Sequence, residues 1–209
     1  MTIQISALGA VPESAQGYVK DFRVRWALEE AGIPYETHLV GFDLPMDDPY
    51  REWQPFGQVP ALREGDVEMF ESGAIVLRIA ERSETLFPHA DRDRARAVTW
   101  VFAAVTTLQP HVDNVNHLSD EVSAETRARL LRHVESRLAA LERRLAASGW
   151  LERHFTAGDL MMCTVLRELD ENLLARFPAL AAYVARCEAR PAFARAMAAH
   201  LAPFRAAAD

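Results

Sequence analysis

A chain of 209 residues can bury one sizeable core or two small ones, and its composition, half hydrophobic and a quarter charged, is that of an ordinary globular protein. The 23 basic and 30 acidic side chains leave a formal charge of −7, which argues against a general affinity for nucleic acid or an anionic membrane. No apolar run approaches the ~20 residues of a spanning helix. Met1–Ile5 has neither the basic nor the apolar region of an export signal, so a cytoplasmic protein without a membrane partner is expected.

Ile3–Leu8 mixes apolar and polar side chains with β-branched content and reads as a first strand. A loop with Gly9, Pro12 and Gly17 follows. From about Tyr18 to Ala31 the stripe Val19, Phe22, Trp26, Ala27 marks a helix, stopped by Gly32 and Pro34. Tyr35–Val40 is a second strand, and Pro45–Trp53 a short irregular or helical piece. Ala61–Arg63 and Val67–Met69 flank Glu64-Gly65-Asp66 as a hairpin, and Ser72–Glu81 is a helix for which Ser72 is well placed as N-cap.

Past Leu86-Phe87-Pro88-His89 the pattern is helical throughout. One long helix is expected from Asp91 to roughly Leu118, kinked at Pro110. Another spans Glu125–Ala147 and closes at Gly149, and three more lie near Asp159–Asn172, Pro178–Glu188 and Pro191–Ala202. The pattern predicts a βαβ-ββα domain over residues 1–84, thioredoxin-like in its order of elements, followed by an all-α domain over 92–209.

The most informative stretch is Phe56-Gly57-Gln58-Val59-Pro60-Ala61-Leu62, followed by Glu71-Ser72-Gly73-Ala74-Ile75. A Val-Pro pair before a short strand is a candidate cis-proline site. A cis bond there would turn the Val59 main chain outward, free to pair with a bound peptide. Glu71 and Ser72 open a helix whose free N–H groups suit a carboxylate. These motifs, with the run Arg23–Glu36, the capping box Thr156-Ala157-Gly158-Asp159 and the segment Ala189–Phe193, resemble the glutathione transferase superfamily over nearly the whole chain.

The resemblance implies the glutathione transferase fold, in a bacterial cytosolic type of unassigned class, with glutathione as co-substrate and no metal. It implies attack of the glutathione thiolate on a small hydrophobic electrophile held by the helical domain. Val59 would pair with the cysteinyl part of glutathione, Gln58 would reach the glycyl end, and Pro60 would fix the turn. Ser72 would take the γ-glutamyl carboxylate and Glu71 the γ-glutamyl ammonium. A homodimer is implied, with Phe56, Met69 and Phe70 near its interface. The alternatives are a glutathione-dependent disulfide reductase or isomerase, or a non-catalytic binding module of the same fold. The missing Ser-Ser-Cys motif counts against the isomerase, and the paired Gln-Val-Pro and Glu-Ser motifs count against the module.

The thiol-activating group should lie in the loop after the first strand. The segment before Ala27-Leu28-Glu29-Glu30 offers Tyr18, Val19, Lys20 and Asp21, without Ser or Cys. Tyr18 is the first candidate and Ser14 the alternative, with a backbone N–H at the helix start also able to donate to the sulfur. Any of them would act by one hydrogen bond that favours the thiolate. Cys163 and Cys187 read as buried small hydrophobes, and the seven histidines show no metal-ligand spacing. Thr156 and Asp159 are assigned to folding.

Overall fold

The computed structural model describes residues 2–119 and 122–206; Met1 and the last three residues, the outer ends of the two expected domains, lie outside them. The chain forms two compact units. One comprises the chain up to Leu86 together with the segment from Arg190 onward, and the other is Phe87–Ala189.

In the first unit, β1 (Ile3–Leu8), β2 (Tyr35–Val40), β3 (Ala61–Glu64) and β4 (Val67–Phe70) form one sheet in the order β2-β1-β3-β4. β1 and β2 are parallel, joined through α1 (Asp21–Ala31), and β3 runs antiparallel to both β1 and β4. Parallel neighbours need such a crossover, whereas β3 and β4 need only the tight turn at Gly65, held at φ +65°. α1 begins at Asp21 rather than near Tyr18, because the loop before it is taken up by a 3-10 turn at Glu13–Ala15 and by Gly17 at φ +86°. Gly32, at φ +65°, ends α1 as its spacing predicts. A short helix, α2 (Tyr50–Trp53), precedes the Val59–Pro60 turn, and α3 (Ser72–Ala80) follows β4.

The last helix, α10 (Pro191–Ala206), packs along α1 and not with the helical domain in which the sequence pattern put it. The reason is side-chain complementarity. Arg190 binds both oxygens of Glu30 at 2.5 and 2.7 Å, and Arg195 Nε reaches Glu29 at 2.7 Å. Phe193 stands edge-on to Phe22 at 5.1 Å and to Trp26 at 5.0 Å. With α3 also against it, α1 is covered so fully that every residue from Asp21 to Leu28 is buried.

The second unit is helical. The long helix expected over Asp91–Leu118 is instead α4 (Asp91–Phe102), a π-helical stretch at Ala103–Leu108, and α5 (Gln109–Asn116). Pro110 sits in the first turn of α5, where its missing N–H matters least, and the wide turn before it absorbs the break. α6 (Ala124–Ser148) ends at Gly149 at φ +74°. The helix expected over Asp159–Asn172 is two: α7 (Ala157–Leu166), and α8 (Glu171–Ala175), whose N-terminus is capped by Asp170. α9 (Pro178–Glu188) completes the unit. α7 is buried along its whole length, as its apolar sequence requires. It lies so close to α4 that a methyl group on Gly158 would stand 2.5 Å from Trp100 Cβ.

Candidate functional site

The register of β3 and β4 builds the site. Ala61 is opposite Phe70 at the open end of the hairpin, so Pro60, just before β3, and Glu71, just after β4, leave the sheet at the same end. The two motifs separated by ten residues of sequence thus become neighbours. The Val59–Pro60 bond is cis, as expected. Pro60 is buried, Val59 half-buried and Gln58 exposed. Among the described residues the Val59 N–H and C=O make no hydrogen bond.

A polar chain beneath the turn holds it in place. Ala61 N–H donates to Ser6 Oγ at 2.7 Å, Ser6 and Tyr50 hydroxyls meet at 2.6 Å, and Tyr50 O–H donates to the Gln58 carbonyl at 2.6 Å. Because the Tyr50 proton goes to Gln58, the Ser6 proton must go to Tyr50. Burial raises the Tyr50 pKa, with the Ser6 hydrogen bond opposing, so the phenol stays a donor. Trp53 Nε1 donates to the Leu62 carbonyl at 3.1 Å, and the Tyr50 and Trp53 rings pack edge-on at 5.5 Å. Ser6 and Tyr50 are functional-site supports that the sequence reading missed. The available signal was a serine set between Ile5 and Ala7 in the first strand, a polar group that must find partners if buried with them.

The helix that starts beside this turn differs from expectation by one position. Glu71, not Ser72, is the residue flanking α3: its carbonyl accepts the first helical bond from Ile75 N–H at 3.0 Å. Glu71 has φ +70°, a region that side-chain-bearing residues rarely adopt and one found repeatedly at ligand sites. Its side chain is exposed and makes no cap bond. Ser72 is the first helical residue, 8% exposed, and its Oγ accepts a hydrogen bond from Arg23 Nη1 at 3.3 Å. The N–H groups of Ser72, Gly73 and Ala74 have no acceptor among the described residues. They form a small positive pole flanked by an exposed acid.

Arg23 ties the first turn of α1 to this pole, and Tyr18 lies five residues before Arg23 on the incoming loop. Tyr18 is 45% exposed, with its N–H bonded to the Ala15 carbonyl at 3.1 Å. Ser14 is exposed within the 3-10 turn further back. Both cysteines are buried in the second unit, and burial pushes the Cys187 thiol far up, with Cys163 beside it adding to the shift. Among the described residues no cluster of His, Cys, Asp or Glu has the makings of a metal site, and no helix is long and apolar enough to cross a membrane.

Residues 22–82 match the family model for the glutathione S-transferase N-terminal domain. A glutathione S-transferase-like protein of Beauveria bassiana, OpS6, is 31% identical over 94 residues; the match spans 43% of this chain and 43% of that protein, so under half the length of either. The disulfide-bond oxidoreductase YfcG of Escherichia coli is 26% identical over 187 residues, 81% of this chain and 86% of that protein. Among solved structures, a glutathione transferase from Burkholderia graminis, with two glutathione molecules bound per subunit, is similar with a TM-score of 0.78 and 25% identity, over 94% of this chain and 87% of that one.

Proposed function

Because the chain belongs to the glutathione S-transferase superfamily, we propose that its first unit binds glutathione and that the bound thiolate attacks a small hydrophobic electrophile. The observation that carries this reading is that the unpartnered Val59 main chain and the free N–H groups and flanking acid at the start of α3 lie at the same end of the β3–β4 hairpin. A tripeptide with a free α-amino acid end matches that arrangement. Val59 pairs with its cysteinyl residue as one more antiparallel strand, Gln58 takes the glycyl end, and Pro60 fixes the turn. Ser72 with the adjacent N–H groups takes the γ-glutamyl carboxylate, and Glu71 takes the ammonium. In the reaction the sulfur forms a bond to the electrophilic carbon and the leaving group departs with the bonding pair. The second unit carries the acceptor.

Tyr18 is the proposed donor to the sulfur, with Ser14 as the alternative. Tyr18→Phe should lower the conjugation rate with a chloronitroarene at neutral pH by about tenfold, the equivalent of one unit in thiol pKa or ~1.4 kcal/mol. Glutathione affinity should be nearly unchanged, since the bond forms chiefly to the anion. Ser14→Ala should do little. The reverse pattern moves the role to Ser14, and insensitivity to both moves it to a backbone N–H. Calorimetric titration of the wild-type protein with glutathione tests the whole reading; no binding at millimolar glutathione would overturn it.

A second reading, glutathione-dependent disulfide reduction, is favoured by the length of the match to the oxidoreductase. The first unit contains no cysteine, so such a reaction must use the thiolate of glutathione itself, forming a mixed disulfide and expelling the other thiolate. Turnover of a small aliphatic disulfide without turnover of the chloronitroarene would select it. A homodimer is proposed on Phe56, 64% exposed and edge-on to Phe70 at 6.0 Å, with Met69 beside it on β4. Light scattering at micromolar concentration should give the mass of two chains, and the mass of one would refute the dimer.

A further inference from the structure

The first unit buries three ionisable side chains that the proposed chemistry does not use. Asp21, Arg25 and His200 are 1%, 2% and 1% exposed. Arg25 Nε donates to Asp21 Oδ2 at 2.7 Å, and His200 Nδ1 lies 3.2 Å from the same oxygen. On the other side of the ring, His200 Nε2 accepts the Gly17 N–H at 3.2 Å, a contact spanning 183 residues of sequence. The tautomer follows from these bonds. Nε2 accepts and so carries no proton, which leaves the proton on Nδ1, pointed at the Asp21 carboxylate. The ring is held between Phe22 at 5.8 Å and Phe204 at 5.4 Å, both edge-on.

The helices are matched in length to deliver this contact. Arg190 meets Glu30 and His200 meets Asp21, so α10 runs antiparallel to α1. Ten residues on one and nine on the other span about 15 and 13.5 Å at 1.5 Å per residue. Two ion pairs fix one end of α10 against the last turn of α1, and the other end places the imidazole against the loop that enters α1. Gly17, buried at φ +86°, is the residue immediately before Tyr18.

We propose that His200, oriented by Asp21, is a positioning residue for thiol activation: it clamps Gly17 and thereby sets where the Ser14–Tyr18 loop presents its donor to the glutathione sulfur. The proposal rests on the reading of that loop as the thiol-facing segment. It holds whether the donor is Tyr18, Ser14 or a backbone N–H. A ring that only filled space between Phe22 and Phe204 would not need both nitrogens engaged or a buried acid to orient it.

The test uses the whole protein with His200→Leu, which keeps volume but offers no acceptor, and His200→Gln, whose amide oxygen can stand where Nε2 stands. Ultraviolet titration of the bound glutathione thiol, calorimetric glutathione affinity, and amide hydrogen exchange at Gly17 and Tyr18 are measured together. In the Leu variant, exchange at Gly17 should speed by tenfold or more. The bound thiol pKa should rise by about one unit, with a matching tenfold loss of kcat at neutral pH, while glutathione affinity changes less than threefold. The Gln variant should restore thiol pKa and kcat to within threefold of wild type. A folded Leu variant with unchanged thiol pKa and kcat would overturn the proposal. So would equal loss of affinity and kcat in both variants, the signature of simple misfolding around the ring. Failure of the wild-type chain to bind glutathione would instead bring down the functional reading and this proposal together, and is read separately from the variants.

Discussion

Asp159→Ala should destabilise the protein by about 3–5 kcal/mol and melt the second unit first. The Asp159 carboxylate is fully buried and accepts four hydrogen bonds, from Leu151 N–H at 3.0 Å, Thr156 N–H at 2.9 Å, Thr156 Oγ1 at 3.1 Å and Tyr183 O–H at 3.1 Å. Alanine would take the acceptor from the Leu151 and Thr156 N–H groups and the Thr156 hydroxyl, while Tyr183 O–H keeps the Asp159 carbonyl at 3.2 Å; each buried group so orphaned costs about 1–3 kcal/mol before relaxation and water entry reduce the sum. The capping box that starts α7 would be lost with it. Burial pushes the Asp159 carboxyl upward and the four hydrogen bonds oppose the shift without cancelling it. The folded state therefore holds this proton more tightly than the unfolded chain. The contribution of that proton to stability is greatest at or below the ordinary value near 3.8 and declines as pH rises through the folded value. Urea unfolding followed by circular dichroism measures the change. A midpoint within error of wild type would remove Asp159 from the list of residues that hold the helical unit.

Much of the first unit was legible in the sequence because its boundaries are written in local chemistry. Gly32 and Pro34 stop α1, Gly65 turns the hairpin, and the Val-Pro pair announces the cis bond. The Thr156 and Asp159 capping box was legible for the same reason, since its two partners are three residues apart. What the sequence did not disclose depends on partners distant along the chain. An amphipathic α10 fits either unit until Arg190 and Arg195 find Glu30 and Glu29, some 160 residues away. Pro110 announced a kink, but the position of the wide turn at Ala103–Leu108 depends on how that stretch packs against α7. Glu71 at φ +70° carries no local signal at all, since glycine or asparagine would be the usual marker of such a backbone. The roles of Ser6, Tyr50 and His200 likewise rest on bonds to residues at least 44 positions away, apart from the Tyr50 bond to Gln58.

Ser72→Ala should raise the glutathione dissociation constant at least tenfold while leaving the fold nearly as stable as before. A hydroxyl donating to a carboxylate is a charge-assisted bond worth ~1.5–3 kcal/mol, and ~1.4 kcal/mol corresponds to a decade of affinity. Were Ser72 the N-cap of α3, the position expected for it from the sequence, alanine would cost about 1 kcal/mol of stability as well. The structure removes that premise. The flanking position is Glu71, Ser72 is already inside the helix, and its Oγ makes no bond to a backbone N–H of the first turn. What alanine removes from the folded protein is the long contact with Arg23, at 3.3 Å, which sets a stability change of about 0.5 kcal/mol, the low end for a single hydrogen bond. Affinity and stability are therefore expected to separate in one variant. Glu71→Gln supplies the companion measurement: it keeps the backbone geometry but removes the charge that faces the ammonium, and should also weaken binding. Calorimetric titration with glutathione alongside thermal unfolding reads both quantities. Unchanged affinity in a folded Ser72→Ala protein would reduce Ser72 to an ordinary first residue of α3. A large loss of stability would mean that the Arg23 contact, rather than a ligand, is what the hydroxyl is there to make.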